Sequence, residues 1–396
     1  MRNPGETDHG PAGAVSALPA APTHAFRCRR TCRPPGRRRT SAPSPVTCGI
    51  NLSPVKMDVT DMTTPKSLLR VSVIIPAYNC ENTVETAIRS ALGQTVRDIE
   101  LIVVDDGSRD RTRPIVTSLA AADPRIKFIP LAYNVGVSAA RNIALANAAG
   151  NWVAMLDADD WFRPDRLENL LAAAERLDAD LVCDNLRLFD HALGRVVGGT
   201  HFGARHAATP MTVRQLFDLD HAFRRHHLGF TKPMIKTAFL KDKNISYDCR
   251  LRVGEDFLFL AEIILNGANA FILPTAGYVY VHRIAPSTRA VAPNSRAGTG
   301  FADICRSCHY LLGKYWKKMN KEERRSLSRK RKSVTDWMAY REALTAFHAK
   351  DFRKMIDITR RHPMVAVVKF FTVRNRIHDL LMIRWSRIKM LFGLSA

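Results

Sequence analysis

Asp157 and Asp159 stand two positions apart in "WVAMLDADDW". In an extended segment residues i and i+2 point the same way, so both carboxylates face one side. Hard oxygen ligands in that arrangement suit Mg²⁺ or Mn²⁺. A divalent ion held there could bridge a diphosphate and neutralise charge on a leaving group; a solvated acidic turn is the plainer alternative. Asp105 and Asp106 close another apolar run, "LIVVDDGSRD". They could accept hydrogen bonds from ribose hydroxyls or a base N–H, or cap a helix. Tyr78 could stack on a base or simply pack. Arg141 could pair with a diphosphate or with one of the acids. Gly254-Glu255-Asp256 opens an apolar helix, whose start stabilises a carboxylate. A carboxylate there could also act as general base on an attacking hydroxyl, a contribution of typically ~10²–10⁴-fold.

These groups need elements that bring them to one place. Val71–Ile75, Leu101–Val104 and Trp152–Leu156 are short, rich in Val and Ile, and bounded by turn formers. They read as buried strands. In an open parallel sheet the C-terminal strand ends line the ligand crevice, and each of these runs hands over to acidic or turn residues there. Between them lie helical patterns. Val84, Ala87, Ile88, Ala91 and Leu92 share a face, with Asn82 and Glu85 at capping-box spacing. A helix runs to Ala122 behind Ser108 or Asp110. A small-residue helix, "GVSAARNIALANAAG", is expected to close at Gly150. Pro164–Arg176 is another helix, and Ile126–Ile129 and Leu181–Cys183 are further strands. The alternation predicts a doubly wound α/β domain. Residues from about Asp190 to Arg225 read as loop-rich. Later, Phe257, Leu260, Ala261, Ile264 and Leu265 share a helical face, and Ala270–Leu273 and Gly277–Val281 read as strands.

The ends differ from this middle. Residues 1–66 are a basic Pro/Ala/Arg-rich stretch without apolar periodicity, expected to be disordered or to precede a true start at Met57 or Met62. Residues 67–296 are the expected catalytic domain, and 297–396 a basic helical region. Its last part, "PMVAVVKFFTVRNRIHDLLMIRWSRIKMLFGL", would either lie on anionic lipid or cap the domain. The net charge of +23 asks for an anionic partner: nucleic acid, a membrane surface or a phosphorylated substrate. The excess sits in the two ends, and no nucleic-acid-binding motif accompanies it, so no nucleic acid is expected. Eight scattered cysteines fit reduced thiols rather than a disulfide framework. No apolar run reaches the ~18 residues of a spanning helix, and no signal peptide is evident. The expected place is the cytoplasm, or the cytoplasmic face of the inner membrane.

The ordered set "VSVIIPAYN", "LIVVDDGSRD", "GVSAARN", "WVAMLDADD" and "VGEDFLFL" resembles the signature of inverting, nucleotide-sugar-dependent glycosyltransferases of family two, over about Val71 to Arg289. The layout and basic tail are similar to bacterial exopolysaccharide glycosyltransferases of the succinoglycan type. The resemblance implies a GT-A fold: a mostly parallel, doubly wound sheet with helices on both faces, here with a C-terminal basic helical extension. It implies that Pro76, Ala77, Tyr78 and Asp106 hold the nucleotide base, and that Asp157 approaches the ribose or the metal. Asp159 would ligate Mg²⁺ or Mn²⁺, and Asp256 would be the catalytic base. His282 and Arg283 occupy a segment that often contacts metal or diphosphate. The donor would be a nucleotide-diphosphate sugar, first of all a UDP-sugar. The acceptor would be a saccharide hydroxyl, on a polyprenyl-diphosphate-linked chain if the basic region lies on the membrane. The later Gln/Arg-x-x-Arg-Trp motif of processive synthases is not found in its expected place, so single addition is expected.

Other readings are distinguishable. A nucleotidyltransferase of similar fold would release pyrophosphate instead of a nucleoside diphosphate. A nucleic-acid-binding protein would shift a labelled duplex in a salt-sensitive way. The "CRSCH" run, Cys305 to His309, has the spacing of c-type haem attachment, which a Soret band would reveal. A glycosidase would need two carboxylates flanking the bond and no diphosphate site.

Overall fold

The structure is a computed structural model, and it describes residues 69–191, 193–200, 207–219, 231–282 and 300–363. All of these belong to one compact unit, Met57–Ala396. The N-terminal stretch, Arg283 and the last apolar-basic segment lie outside the described residues.

The first half alternates as the periodicity requires. β1 (Val71–Ala77), α1 (Val84–Leu92), β2 (Ile99–Asp105), α2 (Thr112–Ala122), β3 (Ile126–Pro130), α3 (Val137–Ala146) and β4 (Trp152–Met155) follow one another. β5 (Trp161–Phe162), α4 (Arg166–Arg176), β6 (Leu181–Cys183), β7 (Leu186–Asp190), β8 (Arg195–Thr200), β9 (Thr209–Pro210) and α5 (Val213–Leu219) continue the chain. Then come β10 (Met234–Lys236), α6 (Thr237–Asp242), α7 (Glu255–Leu265), β11 (Ala270–Ile272) and β12 (Tyr278–His282). Three helices end the described chain: α8 (Gly300–Lys314), α9 (Lys321–His348) and α10 (Phe352–Arg361).

Eight strands form the main sheet in the order β3-β2-β1-β4-β10-β6-β11-β9. β1, β2, β3 and β4 are mutually parallel, so their C-terminal ends share one edge. β10 is inserted antiparallel between β4 and β6. A second sheet, β5-β12-β7-β8, stands beside it.

Strand alternation explains why helices cover both faces. Along β1, Val71, Val73 and Ile75 join one core cluster with α1 and α4, while Ile74 joins the other with α3 and α7. A strand buried on both faces must be apolar at every position, and these four side chains are fully buried. α7 is buried almost all round, with Phe257 to Ile263 inside and Ile264 only partly so. The expected single apolar face was therefore too narrow: α5 and α8 flank α7 as well as the sheet.

Two local expectations fail for physical reasons. Asn82 does not cap α1; Thr83 precedes the helix without a side-chain cap, and Glu85 pairs with Arg89 instead. Gly150 does not close α3, which ends at Ala146 with Asn147 after it. Gly150 is a point of close backbone approach, where a Cβ would sit 2.6 Å from the Ser72 nitrogen. The stretch read as loop-rich holds β8, β9 and α5, elements too short to leave a periodicity. In "CRSCH", Cys308 is fully buried in the core beneath α8, leaving no room for a haem thioether there.

Candidate active site

The shared edge of β1, β2 and β4 collects the first group of residues. Pro76 and Ala77 end β1, and Tyr78 follows with 43% of its surface exposed, open to a stacking partner. Asp105 ends β2 fully buried, accepting from Arg113 Nε at 2.8 Å and from the Ser108 N–H at 3.1 Å. Asp106 donates its N–H to the Ala77 carbonyl at 2.8 Å. Its carboxylate accepts from the N–H groups of Val135 (2.6 Å) and Gly136 (2.9 Å) and from Asn134 Nδ2 (3.0 Å). Burial raises its pKa against those backbone bonds. Asp106 thus anchors the loop that enters α3, a task the sequence did not suggest.

The second group is a closed ring of charge. Arg141 on α3 donates Nη2 to Asp157 Oδ1 at 2.9 Å and Nη1 to Asp256 Oδ1 at 3.0 Å. Lys232 donates Nζ to Asp157 Oδ2 at 2.8 Å and to Asp256 Oδ2 at 2.9 Å. Glu255 joins through Arg141 Nη1 at 3.2 Å. Every oxygen of the two aspartates therefore meets a cation. The cations lie beneath, 4% and 5% exposed, while the Asp157 and Asp256 carboxylates are 24% and 20% exposed. Burial opposes the charge of Asp157, but Lys232 and Arg141 overrule it and hold the carboxyl well below its usual range. Burial and neighbouring Asp256 raise Glu255 instead.

Each partner is positioned in turn. Gly254, at φ +80, occupies a left-handed turn that favours glycine and directs Glu255-Asp256 into the first turn of α7. The Tyr247 ring lies 5.1 Å from the Arg141 guanidinium. Arg166, buried in a bidentate pair with Asp184, donates Nη2 to the Lys232 carbonyl at 2.6 Å. Asp160, raised well above the usual range by burial and its acidic neighbours, accepts from Tyr278 Oη at 2.6 Å and the Val281 N–H at 2.8 Å. That pair ties the acidic turn to β12. Asp159 between them is exposed. His282 ends β12, but its side chain lies outside the described part.

Of the expected site residues, Arg141, Asp157 and Asp256 come together directly. Both oxygens of Asp157 are bound by cations, while Asp159 is exposed. Lys232 was missed. It lies in "TKPMIK", where a lysine before a proline and an unrecognised strand has no pattern of its own.

A cation is consistent with this geometry. The ring and Glu255 set three carboxylates against two cations, and exposed Asp159 adds a further negative charge. A diphosphate would meet a net negative surface there. Among the described residues no cluster of three His, Cys, Asp or Glu is arranged to hold a metal. Mg²⁺ needs none when it is bound through one or two carboxylates together with substrate phosphates and waters. Asp159 is the exposed carboxylate of this turn.

Comparisons with known proteins bear on the fold and the family signature. Residues 72–243 match the sequence model of Glycosyl transferase family 2. Over 211 residues the chain is 35% identical to the Succinoglycan biosynthesis protein ExoO of Rhizobium meliloti (strain 1021), covering 53% of this chain and 60% of that protein. It is 33% identical to ExoU of the same organism over 218 residues, covering 54% and 62%. The chain thus spans about three-fifths of the length of these relatives. Among solved structures, S. aureus TarS 1-349 in complex with UDP-GlcNAc aligns with a TM-score of 0.51 at 23% identity, over 74% of this chain and 91% of that one. At that identity the likeness speaks for the fold, a GT-A-like α/β sheet. Asp256 lies beyond residues 72–243 that the family model matches, and the ring joins it to residues inside that span.

Proposed function

We propose that this chain moves a sugar from a nucleotide-diphosphate sugar to a saccharide hydroxyl with inversion; the match of residues 72–243 to the Glycosyl transferase family 2 model supports that reading. The observation that carries this reading is the placement of Asp256 beside Asp157 at the C-terminal edge of the sheet, with both oxygens of each held by Arg141 and Lys232.

The nucleotide base stacks on Tyr78, beside Pro76 and Ala77, with the ribose toward the acidic turn. A UDP-sugar is the expected donor; the TarS structure with UDP-GlcNAc supports a uridine nucleotide in a site of this fold. Asp159 would hold Mg²⁺ or Mn²⁺, which would supply charge neutralisation on the diphosphate. Asp256 then takes the proton of the acceptor hydroxyl, whose oxygen attacks the anomeric carbon as the bond to the diphosphate breaks. One displacement inverts the configuration. Arg141 and Lys232 keep the Asp256 carboxylate fixed for that transfer, each oxygen retaining a second lone pair for the incoming proton. His282 is a candidate for a further contact to metal or diphosphate.

The acceptor is a saccharide on a polyprenyl diphosphate at the cytoplasmic face of the membrane, in the assembly of a cell-surface polysaccharide. The printed names of the relatives, succinoglycan biosynthesis proteins, support that class of product. No helix among the described residues is long and apolar enough to cross a membrane.

The test is a screen of nucleotide sugars with Mg²⁺ or Mn²⁺, reading out the released nucleoside diphosphate and the anomeric configuration of the product. Release of pyrophosphate would assign a nucleotidyltransferase instead, and retention would exclude single displacement.

A further inference from the structure

The outer face of α9 carries positive charge that its own surroundings do not balance. Trp316, Lys321, Arg324, Arg325, Ser328 and Arg329 line an open cleft of about 440 Å³. Four of these six are cations. The opposite side of α9 is turned inward: Ser326 and Leu327 are fully buried, and Lys330 Nζ lies 4.3 Å from the Phe257 ring centroid. The two acids of this stretch are engaged elsewhere. Glu322 pairs with Arg214, and Glu323 accepts from the Asn320 N–H in a capping box. Arg329 reaches Asp218 only at 3.4 Å. Arg324 directs Nε to the Trp316 carbonyl while its guanidinium lies 4.5 Å from the indole ring centroid. Lys321 and Arg325 meet no carboxylate among the described residues.

Like charges gathered in one concavity repel until an anion joins them. Guanidinium forks match phosphate oxygens in pairs. Trp316 is 51% exposed, and an amphipathic ring of that kind settles at the headgroup level of a bilayer. Beyond Arg329 this face of α9 is covered by α10, with Asp336, Tyr340 and Ala343 buried, so the open part of α9 is its first turns. Phe347, Phe352 and Ile356 are all exposed. Cations gathered around an exposed indole, with exposed Phe and Ile side chains at the α9–α10 corner, fit a lipid surface better than a free polyanion.

We propose that this cleft binds the phosphate of anionic phospholipids and seats the first turns of α9 on a membrane surface. The inference rests on the reading above that the acceptor is lipid-linked. Full-length protein is mixed with vesicles of phosphatidylcholine alone, or with added phosphatidylglycerol, and sedimented. Wild type should bind only the anionic vesicles. Lys321→Glu/Arg325→Glu should weaken that binding at least about tenfold, and Trp316→Ala should weaken it as well. Millimolar inorganic phosphate should leave binding intact. Donor hydrolysis without vesicles should be unchanged in both variants, which verifies their fold. Vesicle binding by the charge-reversal variant equal to wild type, or no binding by wild type, overturns the proposal. Full competition by inorganic phosphate reassigns the cleft to a soluble anion. Loss of an RNA gel shift with vesicle binding unchanged reassigns it to nucleic acid. Lack of donor hydrolysis by wild type would count against the glycosyltransferase reading alone, since sedimentation reads the cleft independently.

Discussion

Asp157 and Asp256 share the same two cations: Arg141 holds one oxygen of each and Lys232 holds the other. Removing one cation would leave two partly buried carboxylates facing a single positive charge. Breaking a buried pair from one side costs about 3–5 kcal/mol. Lys232→Met should therefore lower stability by roughly that amount in urea unfolding. The double variant Lys232→Met/Asp256→Asn should lose less than the sum of the single losses, because the second change removes a charge the first left unpaired. Additivity to within about 0.5 kcal/mol would dissolve the ring as an energetic unit.

Asp256→Asn keeps the shape of the side chain and removes its basicity. Turnover should fall by roughly 10²–10⁴ while donor affinity stays near wild type. A well-folded variant with near-normal turnover would remove Asp256 from the role of base.

Asp159→Ala should weaken donor binding in the presence of Mg²⁺ and have little effect without it. Wild-type donor binding should itself drop on chelation. Titration calorimetry with and without EDTA separates the two, and identical isotherms would sink the metal assignment.

Burial pushes the Cys80 thiol up to about 11, with Thr112 opposing it. The neutral thiol therefore dominates at pH 8, and the reactive thiolate grows only as pH approaches that value. Alkylation of Cys80 by iodoacetamide at pH 8 should be about two hundredfold slower than for an unperturbed thiol. It should rise about tenfold per pH unit up to pH 10. A rate that levels off near pH 8.5 would contradict the burial effect. Peptide mapping by mass spectrometry follows the site.

Gly150→Ala should destabilise by about 1–3 kcal/mol, since the added carbon overlaps backbone and backbone cannot move cheaply. Thermal unfolding checks this, and an unchanged midpoint would show that the β1–β4 junction can yield.

The parallel half of the sheet was legible because each of its strands is apolar at nearly every position and ends in a turn former. β1, β2, β3, β4 and β6 lie within a few residues of their expected limits. Asp157 and Asp256 were visible because each follows or begins an element with a strong pattern. β10 and α5 were not, since three- and seven-residue elements leave no period to read. Lys232 was hidden with β10. Its partners lie far away in sequence, and a lone lysine carries no local signature of burial. The tasks of Asp105 and Asp106 were hidden for a related reason: a carboxylate that accepts backbone N–H groups looks, in sequence, like one waiting for a ligand.

The antiparallel course of β10 has a practical consequence for redesign. It delivers Lys232 to the first carboxylate from the far half of the domain, just as α7 delivers Asp256. A chimera meant to change the acceptor by exchanging everything after α4 would import Lys232 together with Asp256 and Glu255, and so keep the second cation with its acids. A graft starting inside β10 would import the acid without its lysine. Splice points belong before Thr231, and a library cut there should yield folded hybrids more often than one cut a few residues later.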